Sequence, residues 1–228
     1  MTVEPGDRMR RMPVFRSAYE ARRAAQLSGV PTRTVYKWAE TGLVVPSVSR
    51  TREMLWSYSD LVTLRLIDWL RREKLLEGDT ESDEVKRFKR TSIPSIREAL
   101  ASLELLGGDL TNDSVQVEVD RGGAIVLTIS GDRYTVGLQM MEGRAARSFD
   151  LLGAHDFAPA LAQPMEHVSI APGTLSGQPH VTGKRVPTDI VADMADQGFV
   201  FSMIVAAYPS LDDAEVGDAV AFEHGLAA

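Results

Sequence analysis

Apolar residues return at helical spacing along most of residues 15–73. Within residues 19–27, Ala21, Ala24, Ala25 and Leu27 form a stripe of mostly small side chains that a second helix can cross closely. Ser28-Gly29-Val30 then predicts a tight turn, since Gly29 tolerates a positive φ. Residues 31–40 read as the next helix, with Pro31 in its first turn. Val35 and Trp38 point inward, leaving Thr32, Arg33, Thr34 and Lys37 on the open face. Residues 42–46 are expected to end that helix and start a strand, residues 47–52 to form a polar basic loop with Arg50 and Arg52 at its tip, and Trp56-Ser57-Tyr58 to return as a second strand. Ser59 is expected to cap a following helix, whose Leu61, Leu64, Ile67, Trp69 and Leu70 make a broad apolar stripe.

Beyond residue 76 the pattern changes. Residues 77–84 are acidic with no apolar side chain and read as a linker or a solvated helix start. Pro94 suits the first turn of an amphipathic helix carrying Ile96, Leu100, Leu103 and Leu106, which Gly107-Gly108 ends. Strict alternation follows in Val115, Val117 and Val119, in Ile125, Leu127 and Ile129, and in Tyr134, Val136 and Leu138. Arg121-Gly122-Gly123 and a two-residue turn at Gly131-Asp132 separate these strands. The result is a small antiparallel meander with one apolar face, a spacer or dimerisation module. Residues 150–172 hold Pro159, Pro164 and Pro172 without periodicity and read as a connector. The last section starts with a small hairpin over residues 176–188. Thr188 caps a helix with Ile190, Val191 and Met194 inward and Gly198 as its stop, and two more helices carry residues 202–207 and the stretch after Ser210.

The chain therefore divides into an arm (1–14), a helix-turn-helix with a wing (15–76), an acidic linker (77–92), a helix-plus-meander module (93–150), a second linker (151–166) and a C-terminal domain (167–228). The expected class is α+β, mainly α.

Charge changes this picture. Residues 1–76 hold 14 Lys and Arg against 8 Asp and Glu, whereas the whole chain has a formal net charge of −7. A basic N-terminal third on an acidic remainder suggests that one part alone meets phosphate. Cysteine is absent, so disulfides and thiolate metal sites are excluded. The N-terminal residues lack the layout of a signal peptide, and no apolar run reaches the ~18 residues of a membrane span. A cytoplasmic location away from membranes is expected. His155, His167, His180 and His224 are scattered, with no metal-ligand spacing and no nucleophile elbow nearby. No catalytic residue, metal or cofactor is expected, and the chain is read as a non-enzyme.

A DNA-reading helix-turn-helix needs a small-residue support helix, a tight turn and a recognition helix with polar or basic side chains outward. The first 76 residues meet all three requirements. Thr32, Arg33, Thr34, Lys37, Arg50 and Arg52 can donate to phosphates and base edges. The run Gly29-Val30, Val35, Trp38, Gly42-Leu43 and Pro46, followed by Trp56-Ser57-Tyr58-Ser59-Asp60-Leu61, resembles the winged helix-turn-helix of MerR-type regulators. Tyr36 stands where many members carry arginine, and the long dimerising helix typical of that family is missing after Arg71-Arg72-Glu73-Lys74.

In the C-terminal section, the run from Gly177 to Gly183-Lys184 is one residue too long for a phosphate loop, and Arg185 replaces its hydroxyl residue. Gly177, Pro179, Val181, Gly183, Arg185, Val186, Pro187, Gly198, Tyr208, Pro209 and Leu211 instead resemble a small bacterial domain found in toxin–antitoxin operons, with Lys184 in place of the family's threonine. With the winged domain in front, the chain resembles VapB45-like antitoxins. That resemblance implies neutralisation of a PIN-type ribonuclease toxin encoded nearby and repression of its own operon through double-stranded operator DNA. Lys184 and Arg185 are then candidate toxin contacts, able to enter a carboxylate-lined ribonuclease site. Equally, Arg185 could hold its hairpin through carbonyls or Asp189. A homodimer is expected, because one helix-turn-helix reads few base pairs. The alternative is a one-component regulator with a ligand- or protein-binding C-terminal part.

Overall fold

The computed structural model describes residues 17–76, 86–111, 114–120, 122–136, 146–156 and 158–227. It is a mixed α+β fold, mainly helical, and the core runs unbroken from the N-terminal helices into the central sheet.

The chain enters through a short strand, β1 (Tyr19–Glu20), then α1 (Ala21–Ser28) and α2 (Thr32–Glu40). Residues 19 and 20 were expected to be helical. They are extended because Tyr19 pairs with Trp56 and Glu20 with Leu55 of β2 (Leu55–Trp56). The Ala21, Ala24, Ala25 and Leu27 stripe is buried as the spacing requires, and Gly29 turns the chain at φ 70°. Residues 42–46 end α2 as expected but start no strand: the N–H groups of Leu43 and Val44 both donate to the Trp38 carbonyl and close the helix. A two-way hydrogen bond between Ser49 and Leu55 forms the wing instead.

Helix α3 (Tyr58–Arg71) is capped by Ser57, not Ser59. Ser57 has a carboxylate three residues on, so it and Asp60 complete a reciprocal capping box. This ends β2 before Ser57. The helix is buried on nearly every side, including Arg65, whose guanidinium donates to the carbonyls of Gly153 and Pro159. Burial lowers its pKa to about 10, still cationic at neutral pH. The expected second linker is thus tied to α3, with Leu151, Ala158 and Leu161 buried.

After α3 come β3 (Lys74–Leu76) and β4 (Lys86–Phe88), paired antiparallel, so part of the expected acidic linker is a strand. The acidic run itself lies outside the described residues. Helix α4 (Ile93–Leu105) starts at Ser92, which accepts from the Ser95 N–H, with Pro94 in the first turn. Ile96, Ala99 and Leu103 face the core; Leu106, expected inward, is the exposed C-cap residue.

The sheet has four strands, not three: β5 (Val115–Asp120), β6 (Ile125–Ile129), β7 (Asp132–Val136) and β8 (Ala146–Phe149), in the order β7-β6-β5-β8. The β6–β7 turn is Ser130-Gly131, both with positive φ, because Ile129 pairs directly with Asp132. Leu138 and Arg121 lie outside the described residues. Phe149 stacks on Trp69 of α3 and on His155, anchoring the sheet edge to the N-terminal domain.

The C-terminal section has β9 (Val168–Ser169), a 3-10 turn (Leu175–Gly177), β10 (His180–Val181), α5 (Thr188–Asp196), α6 (Phe201–Ala207) and α7 (Asp213–Ala227). It has its own core of Val181, Val186, Val191, Ile204, Leu211, Val216 and Ala219. The hairpin is present, with Val181 donating to the Val186 carbonyl. Thr188 is not a cap: Pro187 precedes the helix, and the Thr188 hydroxyl donates to Glu223 and the Pro179 carbonyl. Ile190, expected inward, is exposed, while Val191 is fully buried.

Among the described residues no helix is long and apolar enough to cross a membrane.

Candidate nucleic-acid interface

Helix α2 buries only Val35 and Trp38 and leaves its other face open. Thr32, Arg33 and Lys37 are exposed and Thr34 is half-buried. Arg33 and Lys37 stand four residues apart, so their side chains share one helical face. Tyr36 joins them, 43% exposed although aromatic. Arg50 and Arg52 are exposed on the loop closed by the Ser49–Leu55 bridge. None of Arg33, Lys37, Arg50 and Arg52 forms an ion pair or hydrogen bond among the described residues. Free cations on a helix and an adjacent wing can release counterions when phosphate replaces them.

Two features hold these elements in place. Asp60 accepts from the Ser47 N–H and hydroxyl and from the Ser57 N–H, which fixes both legs of the wing to the start of α3. Arg97 of α4 donates to the Thr41 carbonyl at 2.8 Å and the Gly42 carbonyl at 3.3 Å, so the central module holds the C-terminal end of α2. Lone helix-end carbonyls accept a cation well. Neither role was found from the sequence. For Asp60 the signal was the Ser-x-x-Asp spacing; for Arg97, so distant in the chain, there was none.

Lys184 and Arg185 lie elsewhere, at the tip of the C-terminal hairpin. Lys184 is bound to both carboxylate oxygens of the buried Glu215. Arg185 is exposed, and Asp189, once a candidate partner for it, accepts instead from Gln178 at 2.6 Å.

The C-terminal domain is fastened to the helix-turn-helix. Arg23 of α1 makes a bidentate pair with Glu223 of α7, both bonds 2.7 Å, and Gln26 donates to the Leu226 carbonyl. The Tyr19 hydroxyl donates to the Gly177 carbonyl. Burial, with Tyr58 nearby, pushes that phenol well above its usual pKa, so it stays a donor. No group of metal-ligating side chains occurs among the described residues.

This is the anatomy of a helix-turn-helix DNA reader carrying a second domain. Residues 19–77 match the MerR HTH family regulatory protein family, and residues 168–222 match a protein family of unknown function, DUF433. The α4-and-sheet module lies between the two matched spans. No curated protein matches the chain.

Proposed function

We propose that this protein is the antitoxin of a toxin–antitoxin pair: it represses its own operon by binding double-stranded DNA as a homodimer and neutralises a PIN-type ribonuclease toxin encoded beside it. The observation that carries the DNA half is the set of unpaired cations, Arg33, Lys37, Arg50 and Arg52, on an exposed helix and wing. The toxin half rests on the DUF433 match, a domain linked to toxin–antitoxin operons. Thr32 and Thr34 supply shorter hydrogen-bonding groups beside the cations. Arg185, which has no partner among the described residues, is the cation that would enter the toxin's carboxylate site; Lys184 would first have to leave Glu215. The protein's own part is binding rather than catalysis, and no cofactor is called for.

The test has two arms. Purified protein is titrated onto its upstream promoter at several salt concentrations. Arg33→Ala/Lys37→Ala is expected to weaken binding more than ~100-fold and to flatten the salt dependence by about two counterions. Unchanged affinity would remove α2 from the interface. In the other arm, the neighbouring gene's product is co-expressed and must co-purify, losing its metal-dependent ribonuclease activity in the complex.

A one-component regulator is the second reading, favoured by one observation. An open groove of about 550 Å³ lies between β5 and residues 148–152, lined by Leu110, Val115, Gln116, Phe149, Asp150 and Leu151. A small ligand that shifts operator affinity without a toxin would select this reading.

A further inference from the structure

The corner between α5 and α6 is built against the rules of helix stability. Phe199, Val200, Phe201 and Met203 are 38%, 59%, 39% and 51% exposed, four large apolar side chains within five positions. Val200 occupies the N-cap of α6 and makes no side-chain cap, where Ser, Thr, Asn or Asp would satisfy a helix-end N–H. On the other side of the corner, Asp193 and Asp196 sit in the last turn of α5, where the helix dipole favours cations, and that turn has no basic residue. Asp196 meets the ring of His224 on α7 at 2.9 Å, but among the described residues the local fold gives Asp193 no side-chain partner and the apolar cluster no cover. Residues 186–228 hold eight Asp and Glu and no Lys or Arg. Glu223, Glu215, Asp218 and Asp196 have partners in Arg23, Lys184, His167 and His224, and the α5–α6 pair itself carries no Lys or Arg with which to meet phosphate as α2 can.

We infer that this corner is the docking surface for a protein partner that presents an apolar recess flanked by Lys and Arg. The inference rests on the antitoxin reading, under which the partner is the ribonuclease toxin. Charge complementarity selects it over a second copy. Pairing two corners would bring two strongly acidic segments together, whereas a ribonuclease must surround its carboxylate site with cations to hold RNA phosphates. The acidic rim of the corner would occupy those cations in place of RNA, and the Phe199–Met203 cluster would supply the desolvated centre that such interfaces need.

The full-length chain is tested with the neighbouring gene's product as the probe. In Val200→Asp/Met203→Glu, the new residues stand at the N-cap and N3 positions of α6 and complete a capping box, so the helix is retained while charge enters the apolar centre. Asp193→Lys/Asp196→Lys likewise suits the end of α5. The first pair is expected to weaken the complex by roughly 30-fold or more. The second is expected to slow association and reduce its salt dependence. Operator binding and thermal unfolding, measured on the same samples, are expected to stay as in the parent. Unchanged toxin affinity in both variants overturns the inference and leaves the antitoxin reading standing. A parent chain that does not bind the neighbouring product overturns both. Dissociation of a homodimer by Val200→Asp/Met203→Glu, measured by sedimentation with toxin affinity intact, assigns the corner to a second copy and overturns the inference alone.

Discussion

Gly177 shows how closely the two ends of the chain fit. It has φ 80°, and a Cβ there would stand 2.5 Å from the Tyr19 hydroxyl oxygen and 2.6 Å from the Ser17 side chain. Both neighbours are buried and bonded, Ser17 to the Tyr58 N–H and Tyr19 to the Gly177 carbonyl, so neither can step aside. Gly177→Ala is expected to cost about 2–4 kcal/mol, from positive φ together with overpacking, read as a lower denaturant midpoint. A second residue-scale expectation concerns pH. His167 is bound to Asp218 through its ring and its backbone N–H, and the hydrogen bond that the ring N–H donates to the Asp218 carboxylate raises the imidazole pKa above its usual value. A raised histidine pKa contributes stability that is complete below the unfolded value and lost as pH rises through the folded one. The stability gap between the parent and Asp218→Asn is therefore expected to be larger at pH 5.5 than at pH 8.5, as measured by thermal unfolding. His155, whose pKa burial on Phe149 lowers, works with the opposite sign and leaves this difference untouched.

Among the elements, α2 depends on a helix from another module. Arg97→Ala keeps the proposed DNA contacts Arg33, Lys37, Arg50 and Arg52 but releases the Thr41 and Gly42 carbonyls. Operator affinity is expected to fall about 3- to 10-fold, with the slope of its salt dependence unchanged, since no phosphate contact is removed. That contrast with Arg33→Ala/Lys37→Ala separates positioning from contact. The long elements were legible in the sequence because their signals are local: the alanine stripe of α1, the Val35–Trp38 spacing of α2, the alternation in β5 and β6. Open-face placement of Arg33 and Lys37 followed from the same period. What escaped was set by partners far along the chain. Tyr19 and Glu20 are strand only because Leu55 and Trp56 lie beside them. The short β8 has little alternation of its own and is held by β5 and Trp69. Arg65 lies within the apolar face of α3, where a period-based reading puts no cation, because two carbonyls from residues 153–159 come to meet it. Ile190 was misleading in the opposite way, an apolar residue that the fold leaves outside.

For the whole molecule, the Arg23–Glu223 pair joins the two matched domains beside the Gln26–Leu226 and Tyr19–Gly177 bonds. Glu223 accepts from Arg23 on α1 and from Thr188 at the start of α5, so a single carboxylate joins the DNA reader to the C-terminal domain. Glu223→Ala is expected to cost about 2–4 kcal/mol, because Arg23 and Thr188 both lose a half-buried partner. Arg23→Ala is expected to cost less, and the double variant no more than Glu223→Ala alone, a non-additivity that unfolding curves of the three proteins would reveal. Helix α7 also packs against α5 and α6, the two helices that make the exposed corner. The same helix meets α1 of the DNA reader through Arg23 and Gln26, so α7 touches both the corner and the helix-turn-helix. Linkage then fixes the rest: the factor by which a bound toxin alters affinity for the operator must equal the factor by which the operator alters affinity for toxin. Under the antitoxin reading, titrating either ligand against the other would measure the same quantity twice, and the supply of toxin in the cell would be an input to transcription.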